Sequence, residues 1–145
     1  MNILIICNCA SGLEVFRGML IRELAKEGNT VSAIVPLVDN EKEWISEKQI
    51  EEMECRLIRI PMERRGMNPI HDLKLMIAYV RAIKQERPDL VITYTIKPNA
   101  YGGIACRLCH VPYAANITGL GTAFQNDGML RNFVTFLYKV ALKRA

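Results

Sequence analysis

The feature that most constrains this chain is a repeated change of period. Short aliphatic or β-branched runs alternate with longer stretches of helical spacing from one end to the other. The runs are Asn2 to Cys7, Thr30 to Val35, Cys55 to Ile60, Leu90 to Thr93 and Pro112 to Ile117. Runs this short and this apolar suit strands buried on both faces. Strands joined through helices lie parallel with right-handed crossovers, so the spacing predicts an α/β domain with helices on both faces of one sheet. The expected strand order is 3-2-1-4-5.

The connecting stretches carry their own punctuation. After the turn Asn8 to Gly12, the apolar residues Val15, Phe16, Met19, Leu20, Leu24 and Ala25 predict a helix from Leu13, stopped by Gly28. Glu41 to Met53 reads as an acidic, largely solvated helix. Asn68 and Pro69 form an N-cap and first-turn pair for a helix reaching about Glu86. A further helix is expected over Asn99 to Cys109, and a last one over Met129 to Ala145. That last segment sets Phe133, Phe136, Leu137, Val140 and Ala141 among Arg131, Lys139, Lys143 and Arg144. Such a pattern serves either packing on the domain or docking on an anionic membrane. Because the helix runs to the last residue without a cap, the reading is of a domain taken from a longer protein.

Composition narrows the partners. Half the residues are apolar, which suffices for one substantial core in a chain of 145 residues. The net charge of +4 comes without a basic stripe interleaved with aromatics, so nucleic acid is not expected. A mild basic excess suits diphosphates or an acidic membrane surface. Ile3 to Ile6 is too short for a signal peptide, and no run is long enough to span a bilayer. Five cysteines, an odd number, read as reduced thiols in the cytoplasm, with peripheral contact at the inner membrane face left open.

In an open parallel sheet, ligands bind outside the carboxyl ends of the strands. The polar residues falling there are the candidates. Lys97 and Asn99 follow the fourth strand; Asn116, Thr118, Gly119 and Gly121 close the fifth. A lysine can balance a diphosphate, and asparagines can hydrogen-bond sugar hydroxyls. Ser11 and Gly12 open the first helix, where backbone amides can hold a phosphate. Arg64, Arg65 and Asn68 lie on the third strand's exit loop. Each also has a plainer reading as a solvated loop residue, a cap or a turn former. The G-x-G-x-x-G fingerprint is absent, since Phe124 stands where the third glycine would fall.

Two long motifs then point to a family. Thr95-Ile-Lys-Pro-Asn-Ala-Tyr-Gly102 and Val111-Pro-Tyr-Ala-Ala-Asn-Ile-Thr-Gly-Leu-Gly-Thr-Ala-Phe124 resemble the amino-terminal domain of bacterial family 4 glycosyltransferases. The similar subgroup elongates lipid-diphosphate-linked saccharides. The resemblance implies a Rossmann-like domain, the amino-terminal half of a GT-B fold, that binds a lipid-diphosphate-linked sugar acceptor. It implies a nucleotide-sugar donor on a second, carboxyl-terminal domain absent from this chain, retention of configuration, no cofactor and no required metal. It also places the Asn8 to Gly12 loop on the interdomain cleft. Many members carry a histidine near the end of the fifth strand; the corresponding residue here is Thr118, so no catalytic residue is assigned.

Other patterns carry less. Glu43 and Glu51 meet the family's E-x7-E spacing by accident, because that motif belongs to the other domain. Cys106-Arg-Leu-Cys-His110 matches a haem-attachment pattern, but late in a helix its cysteines read as small hydrophobes. His71 and His110 have no partner at metal-ligand spacing. Two competing readings remain: a self-contained nucleotide-binding domain of the Rossmann type, and a non-enzymatic subunit that docks on membranes.

Overall fold

The computed structural model describes residues 1–63, 68–119 and 128–144. Its five strands are β1 (Asn2–Ile6), β2 (Thr30–Pro36), β3 (Cys55–Ile60), β4 (Leu90–Tyr94) and β5 (Tyr113–Asn116). All pair in parallel, in the order β3-β2-β1-β4-β5. This is the order the sequence predicts. Register aligns Ile6 of β1 with Ile34 of β2 and Thr93 of β4, so the carboxyl ends of the central strands finish level.

Alternation along the strands divides the core in two. Leu4, Ile6, Ile34, Ile60 and Val91 face α3 (Pro69–Glu86) and α4 (Gly103–Cys109), meeting Leu75, Tyr79, Ile83, Ala105 and Cys106. Ile3, Ile5, Val31, Ala33 and Val35 face α1 (Ala10–Lys26) and α2 (Glu41–Glu51), meeting Leu13, Ile21 and Ile50. Successive strand residues point to opposite faces, so each β-branched run fills both layers. Burial of the Cys106 thiol pushes its pKa up to about 12, which keeps it neutral and consistent with a core role.

Three details depart from expectation. First, α1 starts at Ala10, so Ser11 and Gly12 form its first turn rather than a loop before it. Its buried residues are Ala10, Leu13, Gly18 and Ile21, while Val15, Phe16 and Met19 are largely exposed. Gly18 explains the rotation: an added Cβ would come within 3.1 Å of the Met53 side chain, so the helix approaches α2 on its small-residue face. Second, α2 is not solvated throughout, since Glu43 and Glu47 are buried. Third, Pro98–Gly102 forms one π-helical turn before α4 instead of a uniform α-helix.

The last helix, α5 (Met129–Ala141), packs on the domain through Val134, Tyr138 and Ala141, against Ala100 and Ile96. Gly103 lets it close in, because a Cβ there would meet Ala141. Arg107 and the Tyr113 hydroxyl donate to the Val140 and Ala141 carbonyls, satisfying acceptors the helix end leaves open. Phe133 and Phe136, two members of the expected stripe, stay exposed. No described helix is long and apolar enough to cross a membrane.

Candidate functional site

Beyond β1, β4 and β5 lie two adjoining cavities of about 290 and 410 Å³. Asn8, Thr95 and Thr118 line both. Met62, Lys97 and Gly119 close the smaller; Gly12, Arg17, Tyr94 and Asn116 close the larger. The sheet dictates this position: three neighbouring parallel strands end together, β1 leading into α1 on one face and β4 towards α4 on the other.

The exit of β4 is tightly built. The Lys97 ammonium lies 2.7 Å from Asp72 Oδ1 of α3, and both side chains are mostly shielded from water. The Tyr101 hydroxyl donates to the other Asp72 oxygen at 2.9 Å. Burial, with Asp72 adding to it, raises the Tyr101 pKa, so its hydroxyl remains a donor. Lys97 therefore reaches the smaller cavity with its charge already compensated. Asn99 is fully buried. Its side-chain oxygen accepts from Thr93 at 2.7 Å, and its amide donates to the Asn116 carbonyl at 3.0 Å. The expectation that Asn99 touches a sugar gives way to a different role: it ties the ends of β4 and β5 together.

The start of α1 is likewise occupied. Glu43 of α2 accepts from the Ala10 amide at 2.7 Å and the Ser11 amide at 3.2 Å, and the Ser11 hydroxyl donates to it at 2.7 Å. A carboxylate here satisfies orphan donors and complements the helix dipole, which is what a bound phosphate would have done. Ser11 is thus committed to α2. Gly12 lines the larger cavity, and a Cβ there would stand 2.7 Å from Cys9 Sγ, so close approach requires glycine.

The exit of β5 is open. Asn116, Thr118 and Gly119 are exposed on the cavity walls. Asn68 caps α3 as expected, accepting from the Ile70 and His71 amides at 3.0 and 3.4 Å. Gly121, Arg64 and Arg65 lie outside the described residues. Among the described residues no cluster of His, Cys, Asp or Glu could hold a metal ion.

Sequence reasoning missed several participants. Tyr94 stands just before the Thr95-Ile-Lys-Pro-Asn motif, so its place at the strand end was available from the sequence, as that of Thr95 was. Asp72 and Arg17 were not, because only the tertiary fold brings helix residues to these strand ends. Thr95 is unusual in two ways. Its φ is 74°, a left-handed conformation costly for a β-branched residue, and its hydroxyl is buried without a hydrogen-bond partner among the described residues.

Fold and cleft together define a Rossmann-like α/β domain with its cavities at the carboxyl edge of a parallel sheet. A profile of the glycosyl transferase 4-like family matches residues 5–145, and the chain belongs to that family. It is 25% identical over 150 residues to N,N'-diacetylbacillosaminyl-diphospho-undecaprenol alpha-1,3-N-acetylgalactosaminyltransferase of Campylobacter jejuni. That match covers 100% of this chain and 38% of the relative. Among solved structures, Acinetobacter baumannii MurG superposes with a TM-score of 0.63 at 18% identity, over 95% of this chain and 39% of its own. The UDP-GlcNAc 2-epimerase of Neisseria meningitidis superposes with a TM-score of 0.68 at 14% identity, over 97% and 39%. The chain thus spans well under half the length of these relatives, and at such identities the two structures speak to fold alone.

Proposed function

We propose that this chain is the acceptor-binding half of a retaining glycosyltransferase that moves a sugar from a nucleotide-sugar donor to a lipid-diphosphate-linked saccharide in surface polysaccharide synthesis. The observation that carries the reading is the contrast within the cleft. A buried hydrogen-bonded frame at β4 supports an open polar wall at β5, which suits a ligand rich in hydroxyls and phosphate oxygens. Family membership supports the reaction class, and the printed name of the Campylobacter relative supports a diphospho-lipid acceptor. In this reading the donor sits on a second domain, and the work of the present residues is placement of the acceptor. No cofactor or metal enters it.

The test uses the chain of 145 residues. A short-chain prenyl-diphospho-sugar should bind, and labelled nucleotide sugars added with it should give no transfer. Absence of binding sinks the acceptor assignment. Transfer above a boiled control sinks the need for a second domain.

One observation favours peripheral membrane contact alongside this role. An apolar groove of about 420 Å³ runs between α3, α4 and α5, lined by Leu73, Met76, Ile104, Phe133 and Leu137, with Asp72 and Tyr101 at its polar end. It suits the lipid part of the acceptor, and Phe133 and Phe136 stand exposed beside Lys139 and Lys143. Sedimentation with anionic vesicles should fall with salt and on charge reversal at Lys139 and Lys143. Binding that ignores both changes removes this contact from the proposal.

A further inference from the structure

Two cations reach the strand-end cavities in opposite electrostatic states. Lys97 arrives paired with Asp72. Arg17, which enters from α1, has no carboxylate partner among the described residues. Its guanidinium lies over the Tyr94 ring, 4.7 Å from the centroid, and its Nη1 donates to the Phe16 carbonyl at 3.0 Å. One further donor goes to the Tyr94 hydroxyl, and a guanidinium carries five N–H groups, so others stay available. Arg17 lines the cavity of about 410 Å³ with Gly12, Thr95, Asn116 and Thr118.

A second observation marks the same cavity as unfinished. Thr95 lines it with φ at 74° and a buried hydroxyl that lacks a partner among the described residues. A cation without a carboxylate partner among the described residues, lining the same cavity as this threonine, with Gly12 keeping one wall low, fits an oxyanion with several acceptor oxygens. A diphosphate offers these, and a guanidinium can engage it in a two-pronged contact that an ammonium cannot.

We propose that Arg17, held over Tyr94, is the residue that takes the diphosphate of the bound ligand, while Lys97 serves as part of the frame. The assignment to an acceptor rests on the function proposed above; the diphosphate contact itself does not. The family motifs around Lys97 and Asn116 contain neither Arg17 nor Tyr94's stacking role, so the assignment comes from the fold.

The test is an NMR titration of the 145-residue chain with inorganic pyrophosphate, farnesyl diphosphate and UDP, following the Arg17 side-chain Nε–H and the Thr95 amide. Pyrophosphate and farnesyl diphosphate should shift both signals. Arg17→Gln should weaken binding about ten- to a hundredfold, as loss of a charge-assisted contact does. Arg17→Lys should recover only part of it while keeping the charge, and it serves as the reporter should the glutamine variant fold poorly. Lys26→Gln, which removes an exposed charge at the far end of the same helix and outside the cavity lining, should keep affinity within about threefold, since no contact to the anion is lost. The proposal is overturned if no ligand shifts Arg17, if Arg17→Gln or Arg17→Lys binds like the unaltered protein, or if Lys26→Gln weakens binding as much as Arg17→Gln does. UDP binding that depends on Arg17, with farnesyl diphosphate inert, supports the diphosphate contact and overturns the acceptor reading instead.

Discussion

The exits of β4 and β5 are neighbours on one sheet edge, both rich in polar residues, yet they are built for different ends. At β4, Lys97, Asn99, Thr93, Tyr101 and Asp72 spend their polar atoms on one another and are largely withdrawn from water. At β5, Asn116, Thr118 and Gly119 stand exposed, and the Asn116 backbone carbonyl is what the buried frame holds. The difference teaches that a polar motif at a strand end can be framework or contact surface, and that burial decides between them. A buried polar group is costly unless paired, so pairing at β4 is a condition of the fold.

Five substitutions test that contrast. The largest effect should come from Lys97→Ala. Removing one member of a shielded ion pair leaves the Asp72 charge without its partner, at a cost of about 3 kcal/mol. Urea unfolding should show the loss, and adding Asp72→Asn should recover a good part of it. A change below about 0.5 kcal/mol would mean that the pair behaves as a surface contact and that β4 is no frame.

Asn99→Ala comes next, at about 2 kcal/mol, because Thr93 loses its acceptor and the Asn116 carbonyl its donor together. Hydrogen exchange should quicken at the ends of both strands. Exchange confined to β4 would break the claim that Asn99 couples them. Glu43→Gln should cost about 1 kcal/mol in thermal unfolding, since the amide keeps an acceptor for α1 but gives up the charge facing its dipole. A gain in phosphate affinity at Ser11 in this variant would show that the carboxylate was holding an anion site closed.

The smallest effect on stability belongs to Asn116→Ala and Thr118→Ala, each within about 0.5 kcal/mol for an exposed side chain. Their effect should appear instead as weaker binding of a prenyl-diphospho-sugar in calorimetry. Normal binding in both would leave the open wall without a role in recognition.

The sheet and its strand order were legible because periodicity reports burial and right-handed crossovers restrict topology. The cap at Asn68 was legible for the same local reason, a side chain acting two residues away. The face of α1 was not. Its large apolar residues Val15, Phe16 and Met19 point outward, while Gly18, which no count of hydrophobicity favours, sits against Met53. The candidate site was half legible. The motif letters located the β4 and β5 exits, but whether Lys97 and Asn99 were spent or free depended on Asp72 and Thr93, and Arg17 needed the packing of α1 over Tyr94.

The π turn at Pro98–Gly102 bears on how such a site tolerates change in length. A π turn holds one residue more than an α turn in the same span, and each residue of a regular helix advances the phase by about 100°. Asn99 and Tyr101 reach Thr93 and Asp72 from this widened turn. Losing a single residue there would swing one of the two side chains off its partner even if every remaining letter were kept. The spacing between Lys97 and Gly103 is therefore as much a part of the specification as the residues themselves, and a relative one residue shorter here would need a different frame beneath the same cleft.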